Sequence, residues 1–304
     1  MIHTTIEKIK SYKNGFSINT KHKLIGWFFV IPGALLIFSF YFYPIIRAFI
    51  LSLQGGVGNN LRFAGLFNYK RLLQDGLFKQ SMFNVFIYLI LQVPIMLSLA
   101  LILAGILNDR TLKFRSFFRT AIFVPCATSL VSYAIIFRSM FALDGFINTI
   151  LMNLNILAEP INWLGGPWTA RLLIVIGLTW RWTGYNMIFY LAGLQNIDPA
   201  IYEAAKIDGA SAFDRLTKIT IPILKPIILL TTIMSTNGTL QIFDETQNLT
   251  SGGPANATLS VSQYIYRLSF EYVPRFGYAA AIAFVVFIIV AVLSFMQLKV
   301  GDER

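Results

Sequence analysis

The chain has 304 residues, of which 56% are hydrophobic and 13% charged, and its mean hydropathy is +0.65. Soluble domains carry about 25% charged residues, so a cytosolic enzyme, a disordered tail and a secreted disulfide scaffold are excluded, and the lone Cys126 closes no intrachain disulfide and no thiolate metal cluster. In so apolar a chain a net charge of +11 orients loops against a membrane rather than marking a nucleic-acid surface.

A hydrocarbon core about 30 Å thick takes around 20 mostly apolar residues per helix. After a basic tail over residues 1–24, six stretches meet that length: Ile25–Ile46, Met82–Leu107, Phe117–Phe141, Leu172–Leu194, Ile221–Phe243 and Gly277–Leu298. The first, at 22 residues, is long for a signal-peptide core, and no small-residue cleavage pattern follows it. None alternates with the two-residue period of a barrel strand. Pro32, Pro44, Pro94 and Pro125 fall inside the stretches, where neighbouring helices can satisfy the freed carbonyls. The expectation is an all-α membrane protein of six transmembrane helices, with residues 25–304 forming one domain.

With the N-terminus inside, 15 of the 25 Lys and Arg fall on the inner side, nine on the outer side, and Arg181 within a span. The bias favours both termini in the cytoplasm, although the first outer loop works against it with Arg47, Arg62, Lys70, Arg71 and Lys79. No G-x-x-x-x-G-K-[ST] phosphate loop occurs. If ATP powers transport, the motor is another polypeptide.

The segment from Asn196 to Pro226 carries dense helix punctuation. Asp198-Pro199 reads as a cap followed by proline at the first helical position. A short helix over Pro199–Ile207 then meets Gly209, suited to a left-handed stop. Ser211-x-x-Asp214 reads as a capping box opening a second short helix that runs towards Pro222 and the fifth span. Two short amphipathic helices joined at a glycine make a rigid knob suited to a partner's groove; the plain alternative is a solvated connection.

This segment resembles a known motif. Glu203-Ala204-Ala205, Gly209 after three intervening residues, and Ile219-x-Ile221-Pro222 after nine more are similar to the EAA motif of binding-protein-dependent ABC importer permeases, with Ile221 where the usual ending has leucine. Trp180, Leu191-Ala192-Gly193-Leu194-Gln195, Asp208-Gly209-Ala210, Leu249 to Pro254 and Phe276 to Ala281 resemble the carbohydrate-uptake branch, near the larger permease of maltose and glycerol-3-phosphate importers. The resemblance implies a type I ABC importer permease bundle with a core over residues about 80–298 and cytoplasmic coupling helices. It implies that Glu203, Ala204, Ala205, Asp208, Gly209 and Pro222 couple to a cytoplasmic ABC ATPase dimer, which holds ATP and Mg. It further implies a homologous second permease and an extracellular solute-binding protein, with no cofactor, catalysis or nucleic acid assigned to this chain.

Polar residues inside hydrocarbon are costly and face a cavity or another helix. In the fifth span Asn237, Gln241 and Asp244 are spaced to share one helix face, Ser235 lies nearby, and Gly238 leaves room for close approach. The fourth span supplies Trp182, Tyr185 and Asn186. Rings, amides and hydroxyls suit a sugar's apolar faces and hydroxyls, so these seven residues read as the substrate pathway. The threonines of the fifth span read instead as helix-to-helix contacts. Three readings of Arg181 stay open: an anionic ligand, an acid on a partner permease, or snorkelling to the interface. Gly252-Gly253-Pro254 reads as an outer turn and a contact for the binding protein. His3 and His22 have no acids clustered beside them, so metal binding is not expected. The rival function is a stand-alone secondary sugar carrier, a class that usually carries mid-span carboxylates.

Overall fold

The computed structural model describes residues 18–109 and 111–302. Most of the basic tail, with His3, Arg110 and Arg304, lies outside the described residues. The chain divides into two compact units, Met1–Leu51 and Ser52–Arg304. In the first, α1 (Ile18–Ile37) passes through a wider π-type turn at Phe38–Phe42 into α2 (Tyr43–Ser52). The 28 residues from Ile25 to Ser52 are long and apolar enough to cross a bilayer.

The second unit opens with an antiparallel hairpin, β1 (Gln54–Val57) and β2 (Asn60–Phe63), in which Gln54 faces Phe63 and Val57 faces Asn60. Helix α3 (Phe67–Gln74) is followed by α4 (Gly76–Asn108), 33 residues long with Pro94 inside it. Asp75 caps α4, its carboxylate accepting from the amides of Leu77 at 2.8 Å and Phe78 at 3.2 Å. Next come α5 (Arg115–Ala127), α6 (Leu130–Met140), α7 (Phe146–Asn153) and α8 (Pro167–Gln195). Short helices α9 (Pro199–Ile207) and α10 (Ala212–Arg215) precede α11 (Ile221–Leu240), and α12 (Val261–Tyr266) precedes α13 (Phe276–Asp302).

Among the described residues, four helices are long and apolar enough to span, or five if the bent pair α5–α6 counts as one; the expected six are not reached on length and composition. The third expected span breaks at Thr128–Ser129, where the two helices meet at 101°. Pro125 lies just before the break, and the Thr128 amide and hydroxyl both turn back to its carbonyl, at 3.4 and 2.8 Å, in competition with the helical ladder. The fourth expected span lies in α8, which has the length with 29 residues. Arg181, Asn186 and the surrounding Trp and Gly residues leave it outside the set that is apolar enough. The fifth runs unbroken from Ala212 to Leu240 through a π-type turn at Leu216–Thr220, so it begins a decade of residues before Pro222 and ends short of Phe243.

Lipid tails are as apolar as leucine, so close packing rather than hydrophobic exclusion holds such helices together. Ala100 and Ala104 of α4 and Met187, Tyr190 and Leu191 of α8 form one buried cluster with Leu224 of α11. A second gathers Tyr88, Tyr133, Leu173, Ile174, Leu249 and Ile282. Three of the α11 threonines stitch helices together as expected, Tyr190 with Thr231 at 2.8 Å, Gln297 with Thr236 at 2.8 Å, and Thr239 with Gln92 at 3.2 Å, while Thr232 donates to the Ile228 carbonyl of its own helix at 2.7 Å.

Candidate functional site

Between α4, α8 and α11 lies a cavity of about 470 Å³, within the range of small-molecule sites. Helix α8 contributes Leu178, Arg181, Trp182, Tyr185 and Asn186 to its wall. Gln92 and Met96 come from α4, Ser235, Gly238 and Thr239 from α11, and Gln241 to Glu245 from the segment after α11. The geometry thus brings together Trp182, Tyr185, Asn186, Ser235, Gln241 and Asp244, six of the seven residues singled out from sequence. Asn237 is the exception. Its side-chain oxygen accepts from Ser294 of α13 at 3.1 Å, on the other side of α11, and it is not part of the cavity wall. The shared face expected for Asn237, Gln241 and Asp244 does not form, because α11 stops at Leu240 and Gln241 leaves the helix with φ −105° and ψ 13°.

The wall is an aromatic edge beside an amide. Trp182 and Tyr185 meet edge-on with ring centres 5.9 Å apart, and Tyr185 continues to Phe189 at 5.2 Å. The Asn186 amide donates to the Trp182 carbonyl at 3.0 Å, and its oxygen faces the Ser235 hydroxyl at 3.5 Å. Asn186 therefore orders the wall as well as lining it. Gly238, expected to allow close approach, has no atom within 4 Å of a built Cβ, so its contribution is open space.

Arg181 is buried, with a relative exposure of 6%, which ends the snorkelling reading. Its partner acid is Glu245 of the same chain: Arg181 Nε stands 3.9 Å from Glu245 Oε1. Trp182 Nε1 donates to the same carboxylate oxygen at 3.2 Å. Arg181 Nη2 donates to the Thr128 carbonyl at the α5–α6 break, at 3.2 Å, and the guanidinium lies over the Tyr133 and Trp182 rings at 5.4 and 5.6 Å. The sequence reading missed Glu245. The one available signal was physical, since a mid-span cation requires an acid, and Glu245 lies 64 positions on.

The connection between α8 and α11 folds as its punctuation predicts. The Asp198 carboxylate accepts from the Ala200 amide at 2.9 Å, and Pro199 opens α9. Gly209 takes φ +79°. Its amide donates to the Lys206 carbonyl at 3.1 Å and that of Ala210 to Ala205 at 2.9 Å, the paired bonds of a Schellman stop. Both halves of the Ser211–Asp214 capping box are present. Tyr202 and Thr220 share a hydrogen bond of 2.9 Å, bracing α9 against the approach to α11. Glu203, Ala204, Asp208, Gly209 and Pro222 are exposed and Ala205 is half-buried. Two large apolar side chains beside them stand in the open, Ile207 at 86% and Phe213 at 73% exposure.

Gly252 is buried against Gln263 and Arg267, and the Gly253 carbonyl accepts from the Thr258 hydroxyl at 2.7 Å. The Gly253–Pro254 bond is cis. Packing on Gln263, Arg267 and Thr258 holds the turn within the loop before α12.

Residues 63–300 match the family described as "Binding-protein-dependent transport system inner membrane component". The chain belongs to that family. The permease is 53% identical over 290 residues to the lactose transport system permease protein LacF of Rhizobium radiobacter, covering 95% of this chain and 97% of that one. It is 35% identical over 284 residues to the arabinooligosaccharides transport system permease protein AraP of Bacillus subtilis, covering 92% and 90%. Its fold is similar to that of a chain in a crystal structure of a bacterial ABC transporter involved in the import of alginate, with a TM-score of 0.81 and 22% identity over 94% of this chain and 98% of that one. The permease is thus a multi-pass membrane subunit of a binding-protein-dependent transporter, which sets the stand-alone carrier aside.

Proposed function

We propose that this permease forms part of the translocation path of an ATP-driven importer of carbohydrates, with a disaccharide such as lactose as the first ligand to test. The observation that carries the reading is the 53% identity to LacF, sustained over 95% of the chain. A cavity walled by Trp182, Tyr185, Asn186, Ser235, Gln241 and Asp244 is chemically suited to it: ring faces stack on apolar C–H surfaces while amides and acids meet hydroxyls.

Six crossings follow when the bent pair α5–α6 counts as one and α8 as another, its polar residues tolerated because they face protein. Both termini lie in the cytoplasm. The knob built on Glu203, Ala204, Ala205, Asp208, Gly209 and Pro222 enters a cleft of a cytoplasmic ATPase dimer that holds ATP and Mg, with Ile207 and Phe213 as its apolar anchors. A homologous second permease completes the path, and a solute-binding protein docks near Gly252, Gly253 and Pro254. This chain itself carries out no chemistry.

The test is uptake of labelled lactose into proteoliposomes holding the complete transporter, with its binding protein outside. Uptake is expected to need ATP within the vesicle equivalent of the cytoplasm. Accumulation driven by a proton or sodium gradient alone rejects the ATP-driven reading, and ATP-dependent uptake of some non-carbohydrate solute in place of sugars rejects the substrate class.

A further inference from the structure

The cavity wall holds three ionisable side chains of formal charge, Arg181, Asp244 and Glu245. Arg181 and Glu245 are each 6% exposed, whereas Asp244 is open to solvent. A buried guanidinium facing a cavity would ordinarily be a site for a carboxylate or phosphate, since its planar donors match those groups. Here that place is taken from within the chain. Glu245 Oε1 lies 3.9 Å from Arg181 Nε and is steadied by Trp182 Nε1 at 3.2 Å. Arg181 is itself tethered, through Nη2 to the Thr128 carbonyl and by the Tyr133 ring.

We propose that Glu245 sets the charge selectivity of the pathway: by cancelling Arg181 in the cavity wall, it makes the site accept uncharged sugars and turn away their carboxylated counterparts. This inference rests on the carbohydrate reading above. One cation and two carboxylates leave the wall with a formal balance of −1, which repels an entering anion across a medium less polar than water. The guanidinium keeps its charge and its hydrogen-bonding capacity, while the pair it forms with Glu245 is formally neutral. Its Nε and Nη1 are buried without a hydrogen-bond acceptor, so a small shift of the side chain would offer them to a neutral hydroxyl oxygen. Removing the Glu245 charge raises the formal balance of the wall from −1 to 0 and leaves the buried Arg181 with only the solvent-exposed Asp244 as counter-charge, so the repulsion of an anion is lifted.

The permease–ATPase complex in lipid nanodiscs, free of binding protein, can be titrated by saturation-transfer NMR with two matched pairs: lactose and lactobionate, maltose and maltobionate. The wild type is expected to favour the uncharged member of each pair. Glu245→Gln is expected to move the ratio of affinities towards the acid by about tenfold or more, and Glu245→Asp to keep the wild-type preference. Asp244→Lys, at an exposed position that does not endanger folding, is expected to move the ratio the same way, so the test survives if Glu245→Gln does not assemble. Binding of the uncharged sugars with a ratio that the folded variants leave unmoved overturns this inference alone. Binding of neither member of either pair overturns the carbohydrate reading, and this inference with it.

Discussion

Gly184 shows how little room single residues leave in this bundle. A Cβ built there would lie 2.0 Å from the Ile122 carbonyl oxygen and 3.0 Å from Phe123 Cα. Both are backbone atoms, so no side chain can swing aside, and α5 and α8 would have to part. Gly184→Ala is expected to destabilise the permease by about 1–3 kcal/mol, read as a lower thermal midpoint in detergent, while Gly238→Ala, inside α11 with nothing within 4 Å, is expected to hold the midpoint or raise it slightly. Arg171 makes the matching point for charge. It is buried on α8 and satisfied by the Asn84 side-chain oxygen at 3.0–3.1 Å and the Ala257 carbonyl at 3.0 Å, with the Trp168 ring at 4.6 Å. It lies just outside the fourth apolar stretch of the sequence, which starts at Leu172, yet inside the helix, because α8 begins at Pro167, five residues earlier.

At the scale of elements, the knob at α9 and α10 was legible residue by residue, because caps and stops are local chemistry. Asp198, Pro199, Gly209, Ser211 and Asp214 each do in the fold what their types predict. Gly209→Pro replaces φ +79° with a ring locked near −65° and removes the amide that closes the stop on Lys206. It is expected to leave the permease in the membrane while ATP hydrolysis no longer drives uptake. Glu203→Lys, at an exposed position, is expected to do the same without disturbing the fold. The ratio of sugar transported to ATP hydrolysed measures both, and a normal ratio in either variant at normal expression rejects the docking role.

The start of α4 carries a second elemental feature that sequence did not reveal. Burial raises the pKa of Asp75, but hydrogen bonds from Tyr264 at 2.6 Å, Tyr278 at 2.5 Å and the capped amides outweigh it, and the net shift is downward. A folded value below the unfolded one contributes stability in full above the unfolded pKa and loses it as pH falls through the folded value. Asp75→Asn is therefore expected to flatten the fall in stability below about pH 5, seen by comparing detergent melts of variant and parent across acidic buffers. Equal slopes would show that Asp75 does not gate acid stability.

At the scale of the whole molecule, orientation remains the property most open to experiment, since the Lys and Arg bias is modest. In a Cys126→Ser background, Lys218→Cys, at a side chain 76% exposed, is expected to react with an impermeant maleimide only in inside-out vesicles. Leu143→Cys, in the connection between α6 and α7 and 53% exposed, is expected to react only in intact cells. The opposite pattern inverts the topology.

By itself the sequence determined what composition and near neighbours decide: a helical membrane protein with long apolar helices, the capped knob before α11, and most of the aromatic and amide side chains that gather at one cavity. Only the tertiary structure decided that the third span is broken, that α11 ends before Gln241, that Asn237 turns to α13, and that Arg181 answers to Glu245. Those outcomes depend on groups that meet across helices, and periodicity, which reports a residue's own helix face, carries no record of what stands opposite it.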